Sequence, residues 1–281
     1  MHSEVVKTRY VDGTNVTWNT LHSCMRLSEN ATYHFSIDDS FNALIEATDR
    51  KIPLIKHPYF KYLYELHRKY GVKVSLYLFY RSKHKGAWRD LSQIRDITKE
   101  VVDEKGEVWL KFGPHALDTD TVPHSQSPSD QEITFERIYG EIDRFAGRAT
   151  YARFVRLHYY SESYELAEYF RSKGVEALFS TERDVGSYRM PAEVGESLKG
   201  VGHAIYKKMH FIRTQFRVEF FKDENLRKED IKSRFQESLK KYGCVIFYTH
   251  ECELVKSDIK KILNQSLEAL EELGMKHMRS A

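Results

Sequence analysis

Tyr33-His34-Phe35-Ser36-Ile37-Asp38-Asp39-Ser40 reads as a buried strand that delivers two adjacent carboxylates to its own C-terminal end. Successive strand residues point to opposite faces, so Asp38 and Asp39 cannot serve one purpose there, and unpaired carboxylates are costly where water is scarce. Two readings stay open for the pair: chemistry, or capping of the next helix, where Asp is a favoured N-cap. Ionisable groups recur at the ends of later strand-like segments, at Gly113-Pro114-His115, Arg156-Leu157-His158 and Thr249-His250-Glu251. A lone His near a strand end is usually structural. In an α/β barrel, however, functional groups gather where the C-terminal strand ends and their loops meet, so four such ends point to one rim.

The elements that must position these groups alternate between strand-like and helix-like patterns, which favours a parallel sheet or barrel. After Tyr33–Ile37 the pattern predicts a helix over Pro58–Tyr70 ended by Gly71, a strand over Val72–Phe79 and a polar helix over Trp88–Glu104. A strand over Val108–Phe112, a helix over Ile133–Phe145 and a strand over Arg153–Leu157 follow. Next come a helix over Ser163–Ser172 closed by Gly174 and a strand over Val175–Ser180. Between Thr181 and Phe221 the rhythm breaks at Gly186, Pro191, Gly195, Gly200 and Gly202, which predicts an insertion, with His203–Phe221 as one long strand or a hairpin. A charged helix, Lys228–Tyr242, then leads through Gly243 to a last strand, Cys244–Thr249, and a closing helix, Ser257–Leu273. Met1–Ala31 lacks a clear period and Thr119–Gln131 is rich in Ser, Pro, Asp and Thr, so both read as loops. The expected organisation is an irregular extension over residues 1–31 and a single barrel domain over 32–281, with the insertion around 181–221.

Composition narrows the partners. With 281 residues, 41% hydrophobic and 30% charged, the chain can bury a sizeable core. Its 44 basic and 41 acidic residues give a formal charge of +3, which makes no global case for nucleic acid. A nucleic-acid reading would have to rest on Lys207, Lys208, Arg213 and Arg217, and a basic strand face is usually solvated surface. No stretch has the roughly 20 apolar residues of a membrane span, and Met1–Lys7 lacks the apolar core of a signal peptide, so a cytoplasmic location is expected. Cys24, Cys244 and Cys252 show no CxxC spacing and no disulfide framework is expected. Aromatic residues reach 13%, with 18 Tyr, which suits either sugar-binding platforms or ordinary cores. The Tyr- and Phe-rich stretch Tyr188–Phe221 could also pack against a second copy, so a homo-oligomer is possible on composition.

Phe35-Ser36-Ile37-Asp38-Asp39-Ser40 resembles the first motif, T-F-D-D-G, of the polysaccharide deacetylases, the carbohydrate esterase group that shares the NodB-homology domain. Phe112-Gly113-Pro114-His115-Ala116-Leu117-Asp118-Thr119 resembles the second motif, Arg156-Leu157-His158-Tyr159-Tyr160 the third, and Phe247-Tyr248-Thr249-His250 the last. The resemblance runs from about Thr32 to Leu273 and implies a distorted (β/α)7 barrel. It also implies hydrolysis of an N-acetyl or O-acetyl group from an amino sugar or polysaccharide precursor by a metal-bound water, the metal being zinc or another divalent ion. By position, Asp38 would be the general base, His250 the general acid and Arg156 the group that orients Asp38. Asp39 and His115 would be metal ligands. A divalent metal lowers the pKa of its water and polarises the carbonyl, while opposed acid and base handle the protons.

The sequence departs from the family at the second motif, usually H-x-x-x-H, whose two imidazoles share one face of a turn and grip one metal. Thr119 stands where the second His belongs, and a hydroxyl is a poor ligand for zinc. Asp118, Asp120 and His124 are the candidates to complete the triad, and His124 is the expected third ligand. Ser40 replaces the motif's Gly and His158 its Pro, and Asp184 is a weak match to the residue that pairs with the catalytic His. Two functions remain: a metal-dependent deacetylase, or an inactive relative that binds glycan or a protein partner, which Thr119 favours.

Overall fold

The computed structural model describes residues 31–161, 163–183 and 190–278, together with the backbone of a short antiparallel hairpin, Lys7–Arg9 against Asn15–Thr17. Seven parallel strand positions form a ring: β1 (Thr32–Ser40), β2 (Val74–Phe79), β3 (Leu110–Ala116), β4 (Phe154–Val155), β5 (Ala177–Ser180), β6 (Met209–Arg213, resuming at Phe216–Arg217) and β7 (Cys244–His250). Strands β7, β1, β2 and β3 pair in parallel in that order, and β4, β5 and β6 do the same. The two arcs meet at β6, whose second segment turns from β5 to pair with β7, and at a single parallel bridge from Phe112 to Tyr151 beside β3 and β4. The result is a distorted (β/α)7 barrel, as the alternation and the resemblance imply.

Helices cover the outside: α1 (Asn42–Asp49), α2 (Pro58–Tyr70), α3 (Pro128–Phe145), α4 (Ala167–Ser172), α5 (Ala192–Val201), α6 (Val218–Asp223), α7 (Lys228–Tyr242) and α8 (Ser257–Glu272). Alternation along β1 sorts its side chains. Phe35 and Ile37 belong to the large core under the helices. His34 instead meets the rings of Phe154 and Phe179, and Ser36 and Asp38 meet Arg156, so these three line the barrel's interior.

Helix ends marked by glycine fall where the sequence predicts. Both α2 and α7 match to the residue, and Gly71 and Gly243 after them adopt the left-handed conformation at φ 66° and 76°, which glycine enters without penalty. The predicted helix over Trp88–Glu104 is absent. Ala87–Asp90 instead pairs with Arg81–His84 as a hairpin, followed by one short turn over Leu91–Gln93. The side chains of Asp90 and Asp96 accept the amides of Ser92 and Thr98 at 2.9 and 2.8 Å, and such Asx turns compete with helix for the backbone donors. Buried Leu91, Ile94, Ile97 and Val101 carry the helical spacing that misleads. Part of the predicted loop Thr119–Gln131 is helical, because Ser127 caps α3 by accepting the amide of Asp130. Within His203–Phe221, His203–Tyr206 and Met209–Arg213 form a hairpin whose second arm is β6 itself. Arg213, 9% exposed, donates to the Glu182 carbonyl and Arg217 pairs with Glu219, so these two do not form a solvated basic face. Among the described residues no helix is long and apolar enough to cross a membrane, and Cys244 and Cys252 are free thiols.

Candidate active site

The carboxylate pair escapes strand alternation through a break in the backbone. Pairing of β1 with β2 slips between Ile37 and Ser40, and Asp39 sits at φ 56°, a left-handed conformation rare outside glycine. Such a bulge re-aims a side chain, which lets neighbours on one strand reach the same site. His115 lies at a second slip, between Leu78 and Phe79 on the β2–β3 ladder. His158 directly precedes Tyr159 and Tyr160, both at positive φ. Three irregular backbones thus deliver three donor atoms, a concentration of strain typical of functional sites.

Those atoms converge. Asp39 Oδ1 lies 3.2 Å from His115 Nε2 and 3.5 Å from His158 Nδ1, and the two ring nitrogens are 3.3 Å apart. Their protonation follows from what holds the far side of each ring. His115 Nδ1 is 2.8 Å from the Arg156 carbonyl and His158 Nε2 is 3.0 Å from the Thr119 carbonyl, and a carbonyl can only accept. A neutral ring that donates outward turns a lone pair toward Asp39, whose buried Oδ1 has no hydrogen-bond partner among the described residues. Three acceptors facing one another call for a cation. A tetrahedral ion with bonds of about 2.0–2.2 Å separates its ligands by roughly 3.3–3.6 Å, which the triangle matches. Asp39, His115 and His158 form the single potential metal-binding group among the described residues.

The expected third ligand is thereby corrected. His124 is not in the group, and its Nδ1 lies 2.8 Å from the Ser161 hydroxyl. Asp118 turns to Arg81, at 2.8 Å, and to the Thr121 hydroxyl. Thr119 contributes its carbonyl to His158. His158, which replaces the third motif's Pro, supplies the imidazole that the second motif lacks.

Asp38 and Arg156 meet beside this group, with Asp38 Oδ1 accepting from Arg156 Nη1 at 3.0 Å. The guanidinium is 1% exposed and is fully engaged: it donates to the Ser36 and Thr214 hydroxyls and lies 4.2 Å from the centre of the Tyr248 ring. His250 stands opposite Asp38 in the β7–β1 register. Its Nδ1 lies 2.9 Å from Glu219 Oε1, which also accepts the His250 amide and the Thr249 hydroxyl. Burial lowers the His250 pKa, but the Glu219 hydrogen bond and the charges of Asp38 and Asp39 overcome it and raise the pKa above its ordinary value. For Glu219 burial raises the pKa, and His250 and Arg217 bring it below the usual range. Asp184 lies outside the described residues, and the partner the structure gives His250 is Glu219. Sequence reading missed Glu219 because it placed Phe221 in a strand; the usable signal was a carboxylate just past a strand end.

Glu251 was read as a strand-end group and turns out to be an anchor. Its carboxylate accepts the amides of Phe41, Asn42 and Ala43 at 2.9, 2.9 and 2.6 Å, capping α1, and its own amide donates to the Asp38 carbonyl. One residue thus ties the loop after Asp39 to the end of β7. A cavity of about 300 Å³ opens beside Asp39, lined also by Phe79, Thr119, Glu46, His57 and Cys252.

No family model and no curated protein matches the chain. Solved structures do. A Bc1960 peptidoglycan N-acetylglucosamine deacetylase aligns at a TM-score of 0.48 and 11% identity over 89% of this chain and 86% of that one. PdaC, a peptidoglycan deacetylase from Bacillus subtilis, aligns at 0.43 and 12% over 89% and 88%. BA3943 from Bacillus anthracis, described as a CE4 family pseudoenzyme, aligns at 0.42 and 14% over 89% and 64%. With every score below 0.5, the chemistry of the site rests on its own side chains. The chain is similar in structure to polysaccharide and peptidoglycan deacetylases, one described pseudoenzyme among them.

Proposed function

We propose that the protein is a metal-dependent hydrolase that removes an acyl group, an N-acetyl group in the first instance, from an amino sugar or polysaccharide precursor. The observation that carries the reading is the convergence of three lone pairs, from Asp39, His115 and His158, at the separations of a tetrahedral ligand set. A divalent ion held there supplies Lewis-acid polarisation and a water of lowered pKa. The remaining work falls to the chain. Asp38, oriented by Arg156, accepts the proton of the attacking water. His250 donates from Nε2 to the departing nitrogen, because Glu219 engages its Nδ1 and raises the basicity of the ring. The nearby cavity of about 300 Å³ has room for a sugar ring.

The test is acetate release from a short N-acetylglucosamine oligomer by protein stripped with chelator and reloaded with zinc, cobalt or nickel. The reading expects no turnover when stripped and recovery with one equivalent of metal. Stoichiometric metal without turnover on acetylated sugars or esters would instead favour the glycan-binding relative, for which the altered second motif remains the support.

A further inference from the structure

The opposite end of the barrel holds a second cavity, of about 120 Å³, well above what one water needs. Its cationic lining comes from the N-terminal ends of successive strands: Lys73 just before β2, Lys111 in β3, and Arg153 just before β4. Ser75, His34 and His277 add polar groups to the wall, and among the described residues no carboxylate lines it. Two of the three cations have carboxylate partners, Lys73 in Glu107 at 3.3 Å and Arg153 in Glu176. Among the described residues Lys111 Nζ has no carboxylate partner; it donates to the Ala149 carbonyl at 2.6 Å. Burial, then the charges of Lys73 and Arg153, push the Lys111 amine down to about 8.

His34, 2% exposed, defines what fits. Its Nε2 lies 3.2 Å from the Tyr77 hydroxyl, and that hydroxyl spends its one proton on the Phe154 carbonyl at 2.7 Å. His34 Nε2 must therefore be the donor, which leaves Nδ1 as a bare lone pair, buried and without a partner among the described residues. Burial, His277 and Arg156 press its pKa well below the ordinary value, so the ring stays neutral. A buried acceptor without a donor is costly and asks for a ligand that brings one. The site thus combines cationic donors with one acceptor.

We propose that this cavity binds a small tetrahedral oxyanion that retains a hydroxyl, namely hydrogen phosphate: its oxygens accept from Lys111, its neighbouring cations and Ser75, and its P–OH donates to His34 Nδ1. Lysine suits phosphate as a point charge, and the hydroxyl distinguishes phosphate from sulfate, which carries no proton at neutral pH. The site is independent of the proposed hydrolysis, since β1 delivers His34 to one end of the barrel and Asp38 to the other.

Isothermal titration of the full chain in phosphate-free buffer, with inorganic phosphate and sulfate as probes, tests this. One equivalent of phosphate should bind and raise Tm, sulfate should bind at least tenfold more weakly, and Lys111→Met should weaken phosphate at least tenfold. Asp39→Asn should leave phosphate binding intact, separating this cavity from the metal group. His34→Gln, which keeps an acceptor of different reach, should lose the preference for phosphate over sulfate and stands in if Lys111→Met does not fold. No phosphate binding by the unaltered chain at millimolar concentration, equal binding of sulfate, or loss of phosphate binding in Asp39→Asn would each overturn the proposal.

Discussion

Arg156→Met is the substitution whose cost the structure sets most directly. The Arg156–Asp38 pair is 3.0 Å long between groups 1% and 4% exposed, so at an effective dielectric of about 20 the attraction is roughly 5–6 kcal/mol before desolvation is charged against it. Removing one partner of such a pair leaves a buried carboxylate alone and costs about 3–5 kcal/mol. Methionine also forfeits the hydrogen bonds to Ser36 and Thr214 and the stack on Tyr248. Asp38→Asn leaves the guanidinium with those other partners and should cost about 1–2 kcal/mol. If the two charges act as one unit, the double variant will be less destabilised than the sum of the single ones by more than ~1.5 kcal/mol. Urea unfolding of the four proteins, followed by circular dichroism, gives the cycle. Additivity within ~0.5 kcal/mol would refute the claim that Arg156 exists to hold Asp38 in place.

Replacing His158 with Ala removes a donor, so metal affinity should fall by more than the ~10–100-fold that loss of a ligand's hydrogen-bonding neighbour costs, while His124→Ala leaves it within threefold; competition with a chromogenic chelator reads both. Glu219→Gln takes away the carboxylate that raises the His250 pKa, so the alkaline limb of acetate release should move to lower pH and turnover should drop by roughly 10²-fold; an unmoved limb contradicts the role given to Glu219. Lys111→Met should be more stable than the parent at pH 7 without phosphate, by about 1–2 kcal/mol after discounting for solvent screening. The sign follows from a folded pKa near 8 against an ordinary value of 10.5: the penalty is complete below 8 and is relieved as pH rises toward 10.5, where the two proteins should converge. Glu251→Gln keeps shape but weakens three amide contacts and should cost about 1–3 kcal/mol by thermal unfolding, without altering the ligand set.

Much of this architecture is written locally. Gly71 and Gly243 end helices because they enter the left-handed region freely, and the apolar runs leading to Asp38, His115 and His250 are strands because both their faces are covered. What alternation could not supply is the slip at Asp39, since strand periodicity places consecutive aspartates on opposite faces and only the ladder with β2 reveals the bulge. His158 is visible in the sequence as a replacement for Pro but not as a ligand, because its contribution depends on the Thr119 carbonyl 39 residues earlier in the chain. Glu219 escaped for a related reason, because β6 breaks between Arg213 and Phe216 and its continuation is only two residues long. Asp90 and Asp96 ended a helix that hydrophobic spacing favoured.

The central claim concerns where a cation sits. Soaking crystals with zinc and collecting anomalous diffraction at its absorption edge should show one peak within about 2.3 Å of Asp39 Oδ1, His115 Nε2 and His158 Nδ1 together. A peak at His124, or full zinc loading with no peak among these three atoms, would contradict the account.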